Sequence, residues 1–158
     1  MTKDVNLPRC ITVDEHDPRG VSGSMTQRVT TLTQLLSDPN WNIREEAATE
    51  LRTLGPDALA AVPVLIGALK DESMVRRCAA AEALGLMALA AEEAVPALVE
   101  SLKDKDWLVR AEAAEALSRF GPEARAVVPE IEATVAAEPS GFARKLMTRA
   151  LDAIRRAT

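Results

Sequence analysis

Asp104-Lys105-Asp106-Trp107-Leu108-Val109-Arg110-Ala111-Glu112-Ala113-Ala114-Glu115-Ala116-Leu117 decides the fold, because its landmark residues return at a fixed interval along the chain. Asp104 follows Asp71 and Asp38, Arg110 follows Arg77 and Arg44, Ala113 follows Ala80 and Ala47, and Leu117 follows Leu84 and Leu51, each step being 33 residues. Pro63, Pro96 and Pro129 keep the same spacing. Five columns in one register define an internal repeat, and a period of about 20 to 50 residues belongs to stacked, solenoid-like architectures. From Glu130 onward the pattern continues with a slip of one residue, since Arg144 and Leu151 stand 34 beyond Arg110 and Leu117.

Each unit reads as two helices. The first is expected to start at the proline, whose fixed φ and missing N–H suit the first helical position, and to carry apolar residues such as Leu65, Ile66 and Leu69 or Leu98, Val99 and Leu102. It ends at the Asp-containing turn, where segments such as Asp38-Pro39-Asn40 and Asp104-Lys105-Asp106 supply side chains able to cap the next helix. The second helix places Ile43, Ala47, Leu51 and Leu54 on one stripe, and Val109, Ala113, Leu117 and Phe120 on the same stripe two units later. Gly55-Pro56 and Gly121-Pro122 terminate it, glycine as a left-handed C-cap and proline as a block to continuation. The alanines in the stripe let successive pairs approach closely.

Composition limits what such a stack can do. The chain has 158 residues, 47% hydrophobic but only 3% aromatic and without tyrosine, so its core is Ala, Leu and Val. Cys10 and Cys78 are far apart with no CxxC spacing, which indicates neither a zinc site nor a disulfide framework. No run approaches the roughly 18 apolar residues of a membrane helix, so a soluble, cytoplasmic protein is expected. Net charge is -5, with the excess of acid between residues 30 and 119. An acidic middle disfavours nucleic acid, which is held mainly by Lys and Arg on phosphates.

The string Asp104, Trp107, Val109, Arg110, Ala113, Ala114, Ala116 and Leu117 resembles the short HEAT-like repeat of phycobilin lyases and related bacterial proteins, over residues 31 to 158. The resemblance implies an all-α, right-handed solenoid of about four helix pairs, with repeats near 31–63, 64–96, 97–129 and 130–158. It also implies that the Asp and Arg columns form a buried or half-buried ladder between turns. Two departures stand out. Arg76 takes the column of Ile43 and Val109, with Val75 expected to supply the apolar contact. In the fourth unit Glu138-Pro139-Ser140-Gly141 replaces the Asp-turn, which puts the ladder in question there. Residues 1–24 lie outside the repeats and read as an extended or flexible arm, able to dock on a partner or on the first repeat, followed by the repeat domain 25–158.

No catalytic constellation emerges. Asp14-Glu15-His16-Asp17 holds the single histidine, but four adjacent ligand types on one segment lack the geometry of a metal site. Cys78 reads as a small packing residue, and no Gly-rich phosphate loop is present. A non-enzymatic, protein-binding adaptor or assembly subunit is therefore expected, without cofactor or metal, its partner another protein. The concave face would present Glu46, Arg52, Glu82, Glu112, Glu115 and Arg119. Trp41, Met74 and Trp107 share a column on the turns, which fits either an exposed edge of anchors or packing between repeats. The rivals are a bilin lyase or bilin-handling chaperone, implied by the resemblance alone, and a nucleic-acid binder using Arg144, Lys145, Arg149, Arg155 and Arg156.

Overall fold

Eight helices follow one another in a computed structural model that describes residues 21–36 and 38–157. They are α1 (Val21–Leu35), α2 (Trp41–Leu54), α3 (Ala61–Ala68), α4 (Met74–Met87), α5 (Ala91–Ser101), α6 (Trp107–Arg119), α7 (Val128–Ala137) and α8 (Gly141–Arg156). No strand occurs among the described residues. The odd-numbered helices are the first members of four pairs and the even-numbered helices the second, so the chain is an α-solenoid. Helix α1 begins at Val21, inside the segment expected to belong to the arm. Its Ser and Gly residues stand in the first turn, whose N–H groups have no helical acceptor in any case. The rest of the arm, including the Asp14–Asp17 cluster and Cys10, lies outside the described residues.

Three expectations about helix ends are corrected. The first helices start ahead of their prolines: α3 two residues before Pro63, α7 one before Pro129, and α5 five before Pro96, which therefore sits inside the helix. In the first and third repeats a 3-10 segment, Gly55–Ala60 or Gly121–Val127, leads into the next helix, and the proline is reached in the first turn. There its missing N–H costs no hydrogen bond. The turns supply the expected cap at α2, where Asn40 Oδ1 accepts the Asn42 N–H at 3.0 Å, but the Asp column itself does not cap the second helices. Asp38, Asp71 and Asp104 instead accept the backbone N–H two residues on, at 2.7, 2.8 and 2.9 Å, closing the turn itself. Among α4, α6 and α8, only α8 has a side-chain cap, from Ser140 to the Ala143 N–H. Finally, Val75 is half exposed and does not fill the place of Ile43 and Val109; Arg76 points to solvent and pairs with Asp71 at 3.2 Å.

The glycine column behaves as the sequence predicts where glycine is present. Gly55 and Gly121 have φ of +56° and +60°. The central repeat has Ala88 at the same register, yet its backbone makes the same turn, with φ of +47°, followed by Ala90 at +50°. A Cβ in this region crowds the following carbonyl, at about 1–2 kcal/mol per residue.

The core runs through the stack without a break. Leu51, Leu84, Leu117 and Leu151 are all buried, as are Ala47, Ala80 and Ala113. The two layers are packed very differently. Second helices lie against one another, α4 on α6 and α6 on α8 most intimately, whereas α3 barely touches α5. One very close approach is at Gly85, where a Cβ would lie 2.6 Å from Ala116 Cα and 2.8 Å from Ala116 Cβ. The second helices therefore form a tightly packed inner layer and the first helices a loosely packed outer one.

Candidate functional site

On the second-helix layer, three of the expected carboxylates lie together. Glu82 on α4 and Glu115 on α6 lie near enough to Glu112 on α6 to act on it: burial pushes the Glu112 carboxyl above its usual range, and the like charges of Glu82 and Glu115 push it further. Arg119 and Arg44 oppose the rise without cancelling it. Arg44 Nε stands 3.6 Å from Glu82 Oε2, and Arg119 Nη2 stands 3.6 Å from Glu115 Oε1. At these distances the charges attract without forming good hydrogen bonds. Glu46 is exposed on α2 and is not among the charges that act most strongly on Glu112. Arg52 belongs to α2, and its side chain is outside the described set. The repeat register places Glu82 and Glu115 next to each other in one column, 33 residues apart, but does not reveal Arg44 on this face, because the Arg column points to the turns.

At one end of the same layer an apolar edge is exposed. Met74 is 37% exposed, Trp107 40%, and Phe142, absent from the expected set, 64%. Trp107 and Phe142 meet edge to face with ring centroids 5.9 Å apart. The one-residue slip of the fourth repeat hid Phe142, which stands one position beyond the Trp column in the slipped register. Trp41 opens α2, and its side chain is outside the described set.

Between the turns runs a set of ion pairs. Arg77 donates from Nε and Nη2 to the Asp104 carboxylate at 2.8 and 3.0 Å and to Asp106 at 2.6 Å, while its Nη1 holds the Asp71 and Glu72 carbonyls. Arg110 repeats this one unit on, with its own turn carbonyls and the carboxylate of Glu138 at 2.7 Å. Glu138 is wholly buried at its side chain and also closes its turn by accepting the Ser140 N–H, so it replaces the missing aspartate. Bonds to Asp104 and Asp106 raise the Arg77 pKa against its burial. Burial pushes Asp104 up, but Arg77 and the Asp106 N–H outweigh it and leave the carboxyl below its usual range.

A family profile described as HEAT repeats matches residues 29–92 and 63–152, which together cover most of the sequence. The chain belongs to the HEAT-repeat family. Among solved structures, the crystal structure of an engineered protein is similar at 24% identity, with a TM-score of 0.55 over 86% of this chain and 68% of that one, a likeness of fold. No curated protein matches the sequence.

In HEAT-repeat terms the Asp and Arg columns are architectural, and such repeats serve generally as protein-interaction scaffolds. Cys78 lies beside the acidic group; burial and then the Glu112 charge raise its thiol to about 11, so it is held protonated at neutral pH. Among the described residues no cluster of His, Cys, Asp and Glu could hold a metal ion, and no single helix is long and apolar enough to cross a membrane. Two open clefts of about 550 and 540 Å³ lie between successive first helices, α5 with α7 and α3 with α5. Their floors are ladder residues, Arg110 with Glu138 and Arg77 with Asp104, whose hydrogen bonds are already made.

Proposed function

We propose that this HEAT-repeat chain is a non-enzymatic adaptor that takes a basic segment of another protein along its concave layer. The observation that carries this reading is the Glu82–Glu112–Glu115 group, in which a half-buried carboxylate is kept among like charges. Mutual repulsion between these groups is an energetic cost in the free protein. A Lys or Arg side chain seated beside Glu112 removes that cost and adds charge-assisted hydrogen bonds. Arg119 at the margin, exposed and only loosely paired with Glu115, keeps donors available for backbone carbonyls of the same segment. The field of the stripe also steers a basic partner, so the association rate falls as salt rises.

The test uses a fluorescent Lys/Arg-rich peptide and a Glu/Asp-rich peptide of the same length in anisotropy titrations. The basic peptide binds and the acidic one does not, and the triple variant Glu82→Gln/Glu112→Gln/Glu115→Gln loses at least about tenfold in affinity, or 1.4 kcal/mol. Equal binding by that variant, with unchanged helix content, overturns the reading. The Met74, Trp107 and Phe142 edge favours a second contact on the same partner, since exposed aromatics are the usual anchors of interfaces. Trp107→Ser then weakens binding of a native partner without changing its salt dependence.

A further inference from the structure

One arginine of the repeat column has a different carboxylate from the others. Arg44, Arg77 and Arg110 all turn Nη1 onto two carbonyls of their own turn: Asp38 and Pro39 at 3.2 and 3.4 Å, Asp71 and Glu72 at 2.9 and 3.0 Å, Asp104 and Lys105 at 2.8 and 3.1 Å. That contact puts the three guanidinium groups in equivalent places. In Arg77 and Arg110 the remaining edge, Nε with Nη2, meets the acid of the next turn, Asp104 or Glu138. For Arg44 the corresponding acid is Asp71, and the bond is not made. Its Nε is buried, finds no hydrogen-bond acceptor among the described residues, and stands 3.6 Å from Glu82 instead.

Asp71 is already engaged on both oxygens. Oδ1 accepts the Ser73 N–H at 2.8 Å, and Oδ2 accepts from Arg76 Nη1 at 3.2 Å. Arg76 holds the column that Ile43 and Val109 hold in the neighbouring repeats, where the residue has no charge to offer an acid. Its pair with Asp71 lies in solvent and contributes little stability by itself. What it does is neutralise the carboxylate that would complete Arg44. A buried guanidinium N–H without an acceptor is costly, so Arg44 is drawn to the other acid within reach. Among the described residues it is the one cation within 4 Å of Glu82, and its charge acts on Glu112 as well.

We propose that Arg76 positions Arg44: by holding Asp71 it leaves Arg44 on Glu82, where Arg44 competes with an incoming basic segment. The competition rests on the reading of the preceding subsection, whereas the choice between Asp71 and Glu82 does not. Without Arg76, Arg44 turns to Asp71, the ladder is completed between the turns before α2 and α4, and Glu82 is released to a partner.

Double-mutant cycles read from urea midpoints test where Arg44 rests. In the wild type Arg44→Gln is coupled to Glu82→Gln and additive with Asp71→Asn, a substitution that keeps the oxygen closing the turn. In an Arg76→Val background the coupling passes from Glu82 to Asp71. Anisotropy with the Lys/Arg-rich peptide reads the consequence: Arg76→Val and Arg44→Gln each bind about threefold more tightly than the wild type, the scale of one partly exposed ion pair. Asp71→Asn/Arg76→Val, which denies Arg44 its second acid, returns to wild-type affinity. Lys70→Gln removes the same charge beside Asp71 and leaves affinity unchanged, which separates the effect from net charge. Coupling that stays with Glu82 in the Arg76→Val background means that the spacing of α2 and α4 holds Arg44 off Asp71, and overturns the proposal. An affinity that Arg76→Val leaves unchanged while the coupling moves also overturns it, since Arg44 on Glu82 then hinders nothing. A peptide that binds none of these proteins removes the partner and the competition together, while the urea cycles still accept or reject Arg76 as the residue that positions Arg44.

Discussion

Gly85 lies mid-helix, where alanine would ordinarily be preferred by roughly 0.5–1 kcal/mol, and yet its Cβ position is already occupied by the backbone of Ala116. Gly85→Ala must push α4 and α6 apart, and we expect a loss of about 1–3 kcal/mol in denaturant unfolding, as overpacking of a filled contact costs. Gly67 in α3 is the internal control: nothing lies within 4 Å of its Cβ position, so Gly67→Ala gains about 0.5–1 kcal/mol. Glu112 supplies the pH dependence. Its carboxyl titrates above the usual range in the folded chain, so the folded state holds the proton more tightly than the unfolded one. The charged form therefore opposes folding at neutral pH, and that opposition fades as pH falls through the folded and then the unfolded value. Glu112→Gln is more stable than wild type at pH 7 and loses its advantage in acid, as urea midpoints at several pH values would record. Asp104 moves the other way: its stabilising effect is present at neutral pH and is lost as acid protonates it below the unfolded value.

At the level of the helix, Ala88 is an anomaly with a measurable consequence. It makes the left-handed turn that Gly55 and Gly121 make without strain, and Ala88→Gly relieves the Cβ at a site where the glycine backbone is already selected by the two flanking repeats. We expect a gain of about 1 kcal/mol, read as a higher melting temperature with unchanged activity of the concave layer in peptide binding. The same element shows how far the sequence could be read. The repeated Ala and Leu columns locate the second helices and their buried stripe, because burial imposes a residue type at each turn. The prolines mislead about where first helices start, since a proline is tolerated anywhere in the first turn and so marks a neighbourhood, not a position. Glu138 keeps the slipped register, 34 beyond Asp104, but a change of residue type hides its role, and Phe142 stands one position outside even the slipped Trp column. Arg44 escapes because its column has a structural role elsewhere: its Nε reaches Glu82, although its Nη1 still holds the Asp38 carbonyl as the pattern predicts.

Among the described residues the main contacts join neighbouring repeats, so stability accumulates locally, and α8 packs on α6, α7 and the 3-10 segment before α7. Hydrogen exchange should find amides of α8 opening at lower free energy than those of Ala79–Leu86 in α4. Equal or greater protection of α8 would mean that the terminal repeat is held by something other than α6 and α7. The difference between the two layers has a mechanical meaning as well. The inner layer is set by Gly85 and its alanine neighbours and has no slack, while the outer layer contains two open clefts. Bending therefore pivots about the inner helices as about the spine of a book, and closing an outer cleft splays the inner surface. A bulky side chain wedged between α5 and α7 would fix the curvature of the stack, and with it the distance over which a long partner can stay in contact.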